Sequence, residues 1–525
     1  MASVEQWCVF ETYLRNDRNY KNPFLDVEVK VHFTAPSGKI EVIDAFWDGG
    51  SRWGIRLSPD EVGEWRWQTE SSAPDDAGLH NQTGRFRCVP YEGDNPLYRH
   101  GPVRLSANRL HFEHADGTKF FWLADTAWNG VLRSTSEDWS LYIKTRKEQK
   151  FSAIQFVSTQ WRGLKRGPHD SVAFVQGERL ELNPHFFEHL DPRVKAINGH
   201  GLVAAPVILW ALREDDPGMI LSEEDAIRVA RYIVARWGAY QVVWILGGDG
   251  HYDGEKAERW KRIGRPVFGN RRDRLVTMHP CGRSWVANEF NDEEWFDFIG
   301  YQSGHGSSER DLRWLTEGPP ATDWRRDPPR PVVNLEPNYE AHPSYQTKEI
   351  FTDREVRRAA YWSLLVSPTA GVTYGHNAVW VWQKEPGLAD GHERLGIVQP
   401  WITGLTPPGA QSMTMLHQFF ASLPWWMLHP APKLLAEQPG KADPARFIAA
   451  AKSEDDSCTI VYLPAGGVVR LTVGMTDRMT RARWFNPRTG ECANGGPISS
   501  KYAAPDDMDW LLVLDREERT AKYPV

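Results

Sequence analysis

The chain has 525 residues, more than one hydrophobic core usually serves, so two or three domains are expected. With 41% hydrophobic and 25% charged residues it reads as an ordinary globular protein. A net charge of -7, a pI near 6.2 and the lack of any basic block argue against a nucleic-acid partner. No apolar run reaches about 18 residues, so no membrane-spanning segment is expected.

Tryptophan departs from the ordinary: 25 of them are more than a core requires. Flat aromatic faces floor sugar-binding sites as well as building cores and interfaces. The five cysteines (Cys8, Cys88, Cys281, Cys458, Cys492) are scattered and form no CxxC pair, which favours reduced thiols over disulfides or a zinc site. The first residues lack the basic-then-apolar pattern of a signal peptide. The expectation is therefore a cytoplasmic protein, or one exported after losing a leader. Oligomeric state is not legible.

Residues 1–95 read as short strands. Phe24 to Phe33 alternates apolar with polar, and Gly49-Gly50, Ser58-Pro59 and Gly63 mark turns, as in a β-sandwich. Asn95-Pro96 and Gly101-Pro102 punctuate the boundary.

From 105 to 424, strand-like and helix-like segments alternate. Eight strand candidates begin at Phe120, Ala153, Leu202, Val242, Leu275, Phe298, Pro331 and Gly371, with amphipathic stretches between them. One such stretch is opened by a capping box of Ser222 and Asp225 and stopped by Gly238; another is opened by Thr352 and Glu355. Eight strand–helix units predict an α/β fold, a (β/α)8 TIM barrel. A doubly wound sheet is the alternative, but no GxGxxG or P-loop is present. Residues 425–525 return to short β-like runs, such as Cys458 to Leu463 and Trp510 to Leu514, and predict a second β-sandwich.

The stretch Gln241 to Gly250 carries the strongest signal. An unbroken apolar run ends in Gly247-Gly248-Asp249, which reads as a buried strand delivering an acid to a loop. A solvated or loop-capping aspartate is the plain alternative. On a barrel, the carboxyl ends of strands build the site. There the other strands present Asp125 and Trp128, Trp161, His279, Tyr301 and His305, Glu336 and Tyr339, and Tyr374. Asp249 and Glu336 follow strands on opposite sides of the mouth. One acid and one facing carboxylate are what glycosidic hydrolysis needs.

Tyr301 is placed to hydrogen-bond Glu336, with an ordinary core tyrosine equally open. Glu289, Glu340 and Asp125 compete as carboxylates but fit substrate-binding, supporting or solvated roles better. Of Trp128, Trp161, Trp380 and Trp382, at least two are expected to line the pocket. His251, His279, His305 and His376 lack metal-ligand spacing, so neither a metal nor a cofactor is expected.

Taken together, Ala124-Asp125-Thr126-Ala127-Trp128, Leu182-Asn183-Pro184, Trp244 to Asp249, Gln302-Ser303-Gly304-His305, Glu336-Pro337-Asn338-Tyr339-Glu340 and Gly371 to Gly375 resemble the apiosidase-like glycoside hydrolase barrel family. Its members often carry an N-terminal β-sandwich of unknown function and a C-terminal collagen-binding-type sandwich. The resemblance implies Asp249 as acid/base and Glu336 as nucleophile, and an exo-acting hydrolase that removes a terminal apiose or another furanose, such as arabinofuranose, from a plant-type glycan. The substrate-binding set would comprise Asp125, Trp128, Trp161, His279, Glu289, Tyr301, His305, Tyr339, Tyr374 and Trp380. The chain has Gly248-Asp249 where the wider clan of retaining barrel glycosidases has Asn-Glu. Retention of anomeric configuration is expected. A carbohydrate- or matrix-binding protein with a dead barrel is the rival.

Overall fold

The computed structural model describes residues 1–161, 172–269, 274–474 and 478–516. Eight parallel strands form one sheet: β1 (Trp122–Thr126), β2 (Ala153–Val157), β3 (Val203–Trp210), β4 (Trp244–Gly250), β5 (Val276–Pro280), β6 (Ile299–Tyr301), β7 (Val332–Asn334) and β8 (Gly371–Gly375). Every expected barrel strand is present. The hydrogen-bonded order runs β5-β4-β3-β2-β1-β8-β7-β6. The remaining seam, between β5 and β6, is bridged by Asp297 N–H to the Val276 carbonyl at 2.9 Å and by the Thr277 hydroxyl to the Phe298 carbonyl at 2.6 Å. The sheet is therefore a (β/α)8 barrel.

Its helices include α1 (Ser136–Glu148), α2 (Pro184–Gly199), α3 (Glu223–Trp237), α4 (Gly254–Phe268), α5 (Glu309–Glu317), α6 (Asp353–Leu365) and α7 (Pro408–Ala421). The Thr352/Glu355 capping box at α6 is complete. At α3 the Ser222 hydroxyl accepts from Asp225 N–H and donates to its carboxylate, and the helix stops at Gly238 in right-handed conformation.

Alternation along the strands sorts side chains into two layers. Trp122, Ala124, Val157, Val207, Ile245 and Leu335 fill the barrel interior, whereas Leu123, Ile154, Phe156, Ile208, Met278 and Ile299 face the helices. A three-stranded sheet (Val103–Leu105, Phe112–His114, Lys119–Phe120) covers the amino-terminal end, where Phe112 packs edge-on against Phe298.

Ahead of the barrel, a five-stranded and a three-stranded sheet enclose a core of Phe33, Ile55, Leu57, Trp65 and Phe86, a sandwich layering. After it, a six-stranded sheet and a two-stranded sheet enclose Val461, Leu463, Trp484, Tyr502 and Leu512. All five cysteines are free. No helix among the described residues is long and apolar enough to cross a membrane.

A buried ionic cluster fastens the first sandwich to the barrel. Asp191 on α2 accepts from Arg56 Nη2 at 2.7 Å, from Arg236 Nε and Nη2 on α3, both at 2.9 Å, and from Trp237 Nε1 at 2.7 Å. Arg236 Nη1 also donates to Asp48 of the sandwich at 2.8 Å.

Candidate active site

At the carboxyl ends of the strands lies a cleft of about 800 Å³, and both Asp249 and Glu336 line it. That is a volume suited to a small organic ligand. Asp249 stands on β4 itself rather than on a following loop. Gly247 pairs with Leu209, and Gly248 with Trp210 and His279, so the strand persists through the glycines. Its register against β5 shifts on either side of Gly248, and Asp249 takes φ +51°, a left-handed conformation. This bulge re-aims the aspartate into the cleft. The glycines are required sterically: a Cβ on Gly248 would lie 2.5 Å from the Trp210 ring, and one on Gly247 would lie 2.5 Å from the Tyr252 hydroxyl. The Tyr252 pKa is pushed well above the usual value by burial and then by the charge of Asp249.

Glu336 follows β7 and is held by neutral donors. Gln302 Nε2 donates to its Oε1 at 2.6 Å and His305 Nε2 donates to the same oxygen at 2.9 Å. The His305 tautomer follows from its other side, where Nδ1 accepts from Tyr339 N–H at 3.4 Å. Burial holds the His305 pKa down at about 3, which favours the neutral ring. The Tyr339 hydroxyl lies 3.1 Å from Thr126 Oγ1; burial and then Glu336 hold its proton far above the usual pKa. Buried His279 approaches from below, with Nε2 3.5 Å from Glu336 Oε2 and its ring edge-on to Trp128.

Replacing His305 with Ala is expected to lower kcat by on the order of tenfold to a hundredfold through misplacement of Glu336. Because burial already favours the neutral ring, the acidic limb of the pH–rate profile should stay where it is. A limb that moves by a full pH unit would show His305 titrating in the reaction.

Indoles wall the cleft. Trp128, Trp161, Trp210 and Trp380 line it, in mutually tilted and edge-on contacts with ring centroids 5.0 to 5.9 Å apart. Trp382 lies behind them, stacked on Trp401 at 4.7 Å. A hairpin, Gly387–Leu388 paired with Ile397–Val398, crosses above. Gln383 Nε2 fastens its base at the Gly387 and Val398 carbonyls, 3.1 and 2.8 Å away, and Arg213, beyond β3, donates to the Gly391 carbonyl at its tip at 2.7 Å. His392 on this strap sits 5.1 Å from the Trp161 ring and 4.8 Å from Trp380. The strap thus lies over Trp161 and Trp380, which follow β2 and β8, and reaches Arg213 beyond β3. The loop after β7 supplies the facing wall with His342, Pro343, Tyr345 and Lys348.

Of the residues anticipated from sequence, the cleft gathers Asp249, Glu336, Trp128, Trp161, His305, Tyr339 and Trp380, with His279 just beneath. Four lie elsewhere. Asp125 is fully buried towards the helices, bonded at 2.5 Å to both the Tyr142 hydroxyl and Arg146 Nε. Tyr301 packs between Trp285 and Trp314 and does not hold Glu336; the next residue, Gln302, does. Tyr374 donates to Glu340 at 2.6 Å, and Glu340 accepts from Gly409 N–H at the start of α7. Glu289 lies on the short helix Ala287–Phe290, within 4.0 Å of Lys261 on α4.

Asp125, Tyr301 and Tyr374 share one cause: each occupies an outward-facing strand position, so its side chain meets helices rather than the mouth. Sequence reasoning gave no site role to Trp210, Gln302, His342, Tyr252 or the strap. Trp210 had a visible signal, since it terminates the third apolar run.

Residues 106–427 match the family described as apiosidase-like, catalytic domain. Residues 3–72 match a domain of unknown function, DUF5060, and residues 430–515 match a collagen-binding-like domain. No protein with a curated description matches. Among solved structures, one described as a glycoside hydrolase superposes with TM-score 0.70 at 21% identity, over 82% of this chain and 99% of that one. A family 5 glycoside hydrolase from Bacteroides vulgatus gives TM-score 0.70 and 21% identity over 83% and 97%. A second protein from that organism, described provisionally as a glycoside hydrolase, gives 0.71 and 19% over 98% and 100%. At such identities these structures speak for the fold.

Proposed function

The chain belongs to the apiosidase-like family of glycoside hydrolases, and from that premise we propose that it is an exo-acting enzyme releasing a terminal furanose, apiose or arabinofuranose, from a plant-type glycan or glycoside. The observation that carries this reading is the pair Asp249 and Glu336 in a single cleft that indoles wall and a strap roofs on one side. A strap over one side of the cleft supports the binding of a chain terminus rather than a chain interior.

In the proposed reaction Asp249 donates its proton to the glycosidic oxygen as Glu336 attacks the anomeric carbon, so the leaving alcohol departs as the glycosyl ester forms. Asp249, now a carboxylate, takes a proton from water, which displaces Glu336 and regenerates both groups. Gln302 and His305 aim the Glu336 carboxylate, and their bonds to Oε1 turn Oε2 to the other side, towards His279. The bulge at Gly248 supports the reach of Asp249, which is one methylene shorter than the usual glutamate.

A panel of aryl glycosides, including apiosides and arabinofuranosides, tests the activity; binding without turnover of any member would overturn it in favour of a non-catalytic carbohydrate-binding barrel. Proton NMR of the first-formed anomer tests the mechanism. Retention is expected, and inversion would make Glu336 the base that activates water.

A further inference from the structure

At the opposite end of the barrel is a recess of about 250 Å³, lined by residues that precede strands: Phe121 before β1, Ser152 before β2 and Gly201 before β3. The carboxyl-end cleft lies a strand's length away, about 16 Å at roughly 3.3 Å per residue for the five residues of β1. Around this recess stand Lys119, Lys147, Lys150, His114 and His417, and no carboxylate among the described residues lines it. In a chain of net charge -7 this is a local inversion of sign.

Ion pairing accounts for Lys119, whereas Lys147 and Lys150 stand exposed at the rim with neither a carboxylate among the described residues nor a free helix-end carbonyl to serve. Lys119 is spent on Glu113 at 2.8 Å, and that carboxylate also serves Arg104 at 3.1 Å. Among the described residues, neither Lys147 nor Lys150 has a carboxylate partner. Lysines near a helix end can serve its free carbonyls. Here the backbone N–H groups of Gln149, Lys150 and Phe151 already bond to the Thr145, Lys147 and Arg146 carbonyls at the end of α1. Lys147 instead reaches over to the turn before β3, where its Nζ would lie 3.1 Å from a Cβ on Gly201, whose φ is +73°.

His417 enters from α7, edge-on to Phe121 at 6.1 Å. Burial, then Lys150 and Lys147, drive its pKa down to about 4, and partial desolvation with Lys150 lowers that of Lys147. The two ammonium groups repel one another, and His417, neutral with so low a pKa, stands beside them. A bound anion would relieve that repulsion.

We propose that this recess is a binding site for a compact oxyanion, inorganic phosphate or the phosphate group of a small phosphomonoester, gripped by Lys147 and Lys150 beside His417. The recess is smaller than typical drug-sized pockets, which start at about 300 Å³, so only a small ligand fits. The proposal is independent of the reaction in the cleft.

Calorimetric titration of the full chain with sodium phosphate, and separately with glycerol 3-phosphate, tests it against sodium chloride at matched ionic strength. Saturable binding is expected, weakened about tenfold or more by Lys147→Gln and by Lys150→Gln, since each removes a charge-assisted contact. Tighter binding of glycerol 3-phosphate than of phosphate would place the anion on a larger metabolite; the reverse would identify the free ion. Thermal unfolding of both variants without phosphate controls for folding, and their midpoints should equal or exceed wild type, because an uncompensated cation is removed. Heats indistinguishable from chloride, or unchanged in both variants, would overturn the proposal.

Discussion

Glu336→Ala and Asp249→Ala are each expected to lower kcat/KM on an alkyl glycoside by roughly 10²–10⁴-fold while leaving circular dichroism unchanged. Neither side chain supports the fold as the buried clusters do. Glu336 lines the cleft with Asp249, and its hydrogen bonds come from Gln302 and His305, groups that can turn to water or substrate when it is removed. The two variants should differ with leaving group. Without Asp249, a nitrophenolate leaving group still departs, because it needs no proton, so that variant recovers much of its first step on an activated aryl substrate. Without Glu336 the attacking group itself is missing, and leaving-group quality cannot compensate. Added azide should then restore turnover to Glu336→Ala by attacking the anomeric carbon in place of the carboxylate. Azide also attacks the Glu336 ester in Asp249→Ala, where it needs no base, so the products separate the roles: inverted glycosyl azide from Glu336→Ala and retained from Asp249→Ala. The same anomer from both, or equal dependence on leaving group, would sink the assignment.

The largest stability effect is expected at Asp191, not in the cleft. Asp191→Ala would leave buried Arg56 with only the Glu11 carboxylate and buried Arg236 with only that of Asp48, and should cost about 3 kcal/mol, the low end of the usual penalty for removing one partner of a buried ion pair. Burial works to raise the pKa of Asp191, but Arg236 and Arg56 outweigh it and leave the pKa below the ordinary 3.8. A carboxylate with a depressed folded pKa contributes stability that is fully present above its unfolded pKa, near 4, and is lost as pH falls through the lower folded value. Thermal scans of wild type should therefore show a fall in midpoint below pH 4 that Asp191→Asn flattens. Equal midpoints of wild type and Asp191→Ala at pH 7 would refute the coupling role.

The eight barrel strands were legible because each is covered on both faces and so reads as a continuous apolar run. The same continuity hid the direction of individual side chains. At the end of β6, Tyr301 and Gln302 differ by one position, yet one meets Trp285 and Trp314 in the helix layer and the other meets Glu336. An alternating polar pattern would have fixed that parity; a fully buried strand carries none. Asp125 and Tyr374 were misplaced by the same ambiguity. Asp249 could be placed at a strand end because two glycines mark its approach, although they signalled a loop and the chain keeps a bulged strand there. Gly248 is small because Trp210, on the adjacent strand, occupies the space a side chain would need, a contact invisible to local sequence. The strap is equally non-local, since its tip is fixed by Arg213, far away in the chain.

That strap carries a kinetic consequence. With His392 on Trp161 and Trp380 and the tip tied across to Arg213, the strap covers one side of the pocket. In the proposed exo reaction the released sugar lies deepest, beneath the strap, and the remainder of the substrate lies between it and solvent. Products then leave in a compulsory order, the larger fragment first and the monosaccharide last. The free sugar is thus the product that meets the empty enzyme, so it competes directly with substrate and sets the rate at which accumulating monosaccharide throttles its own production.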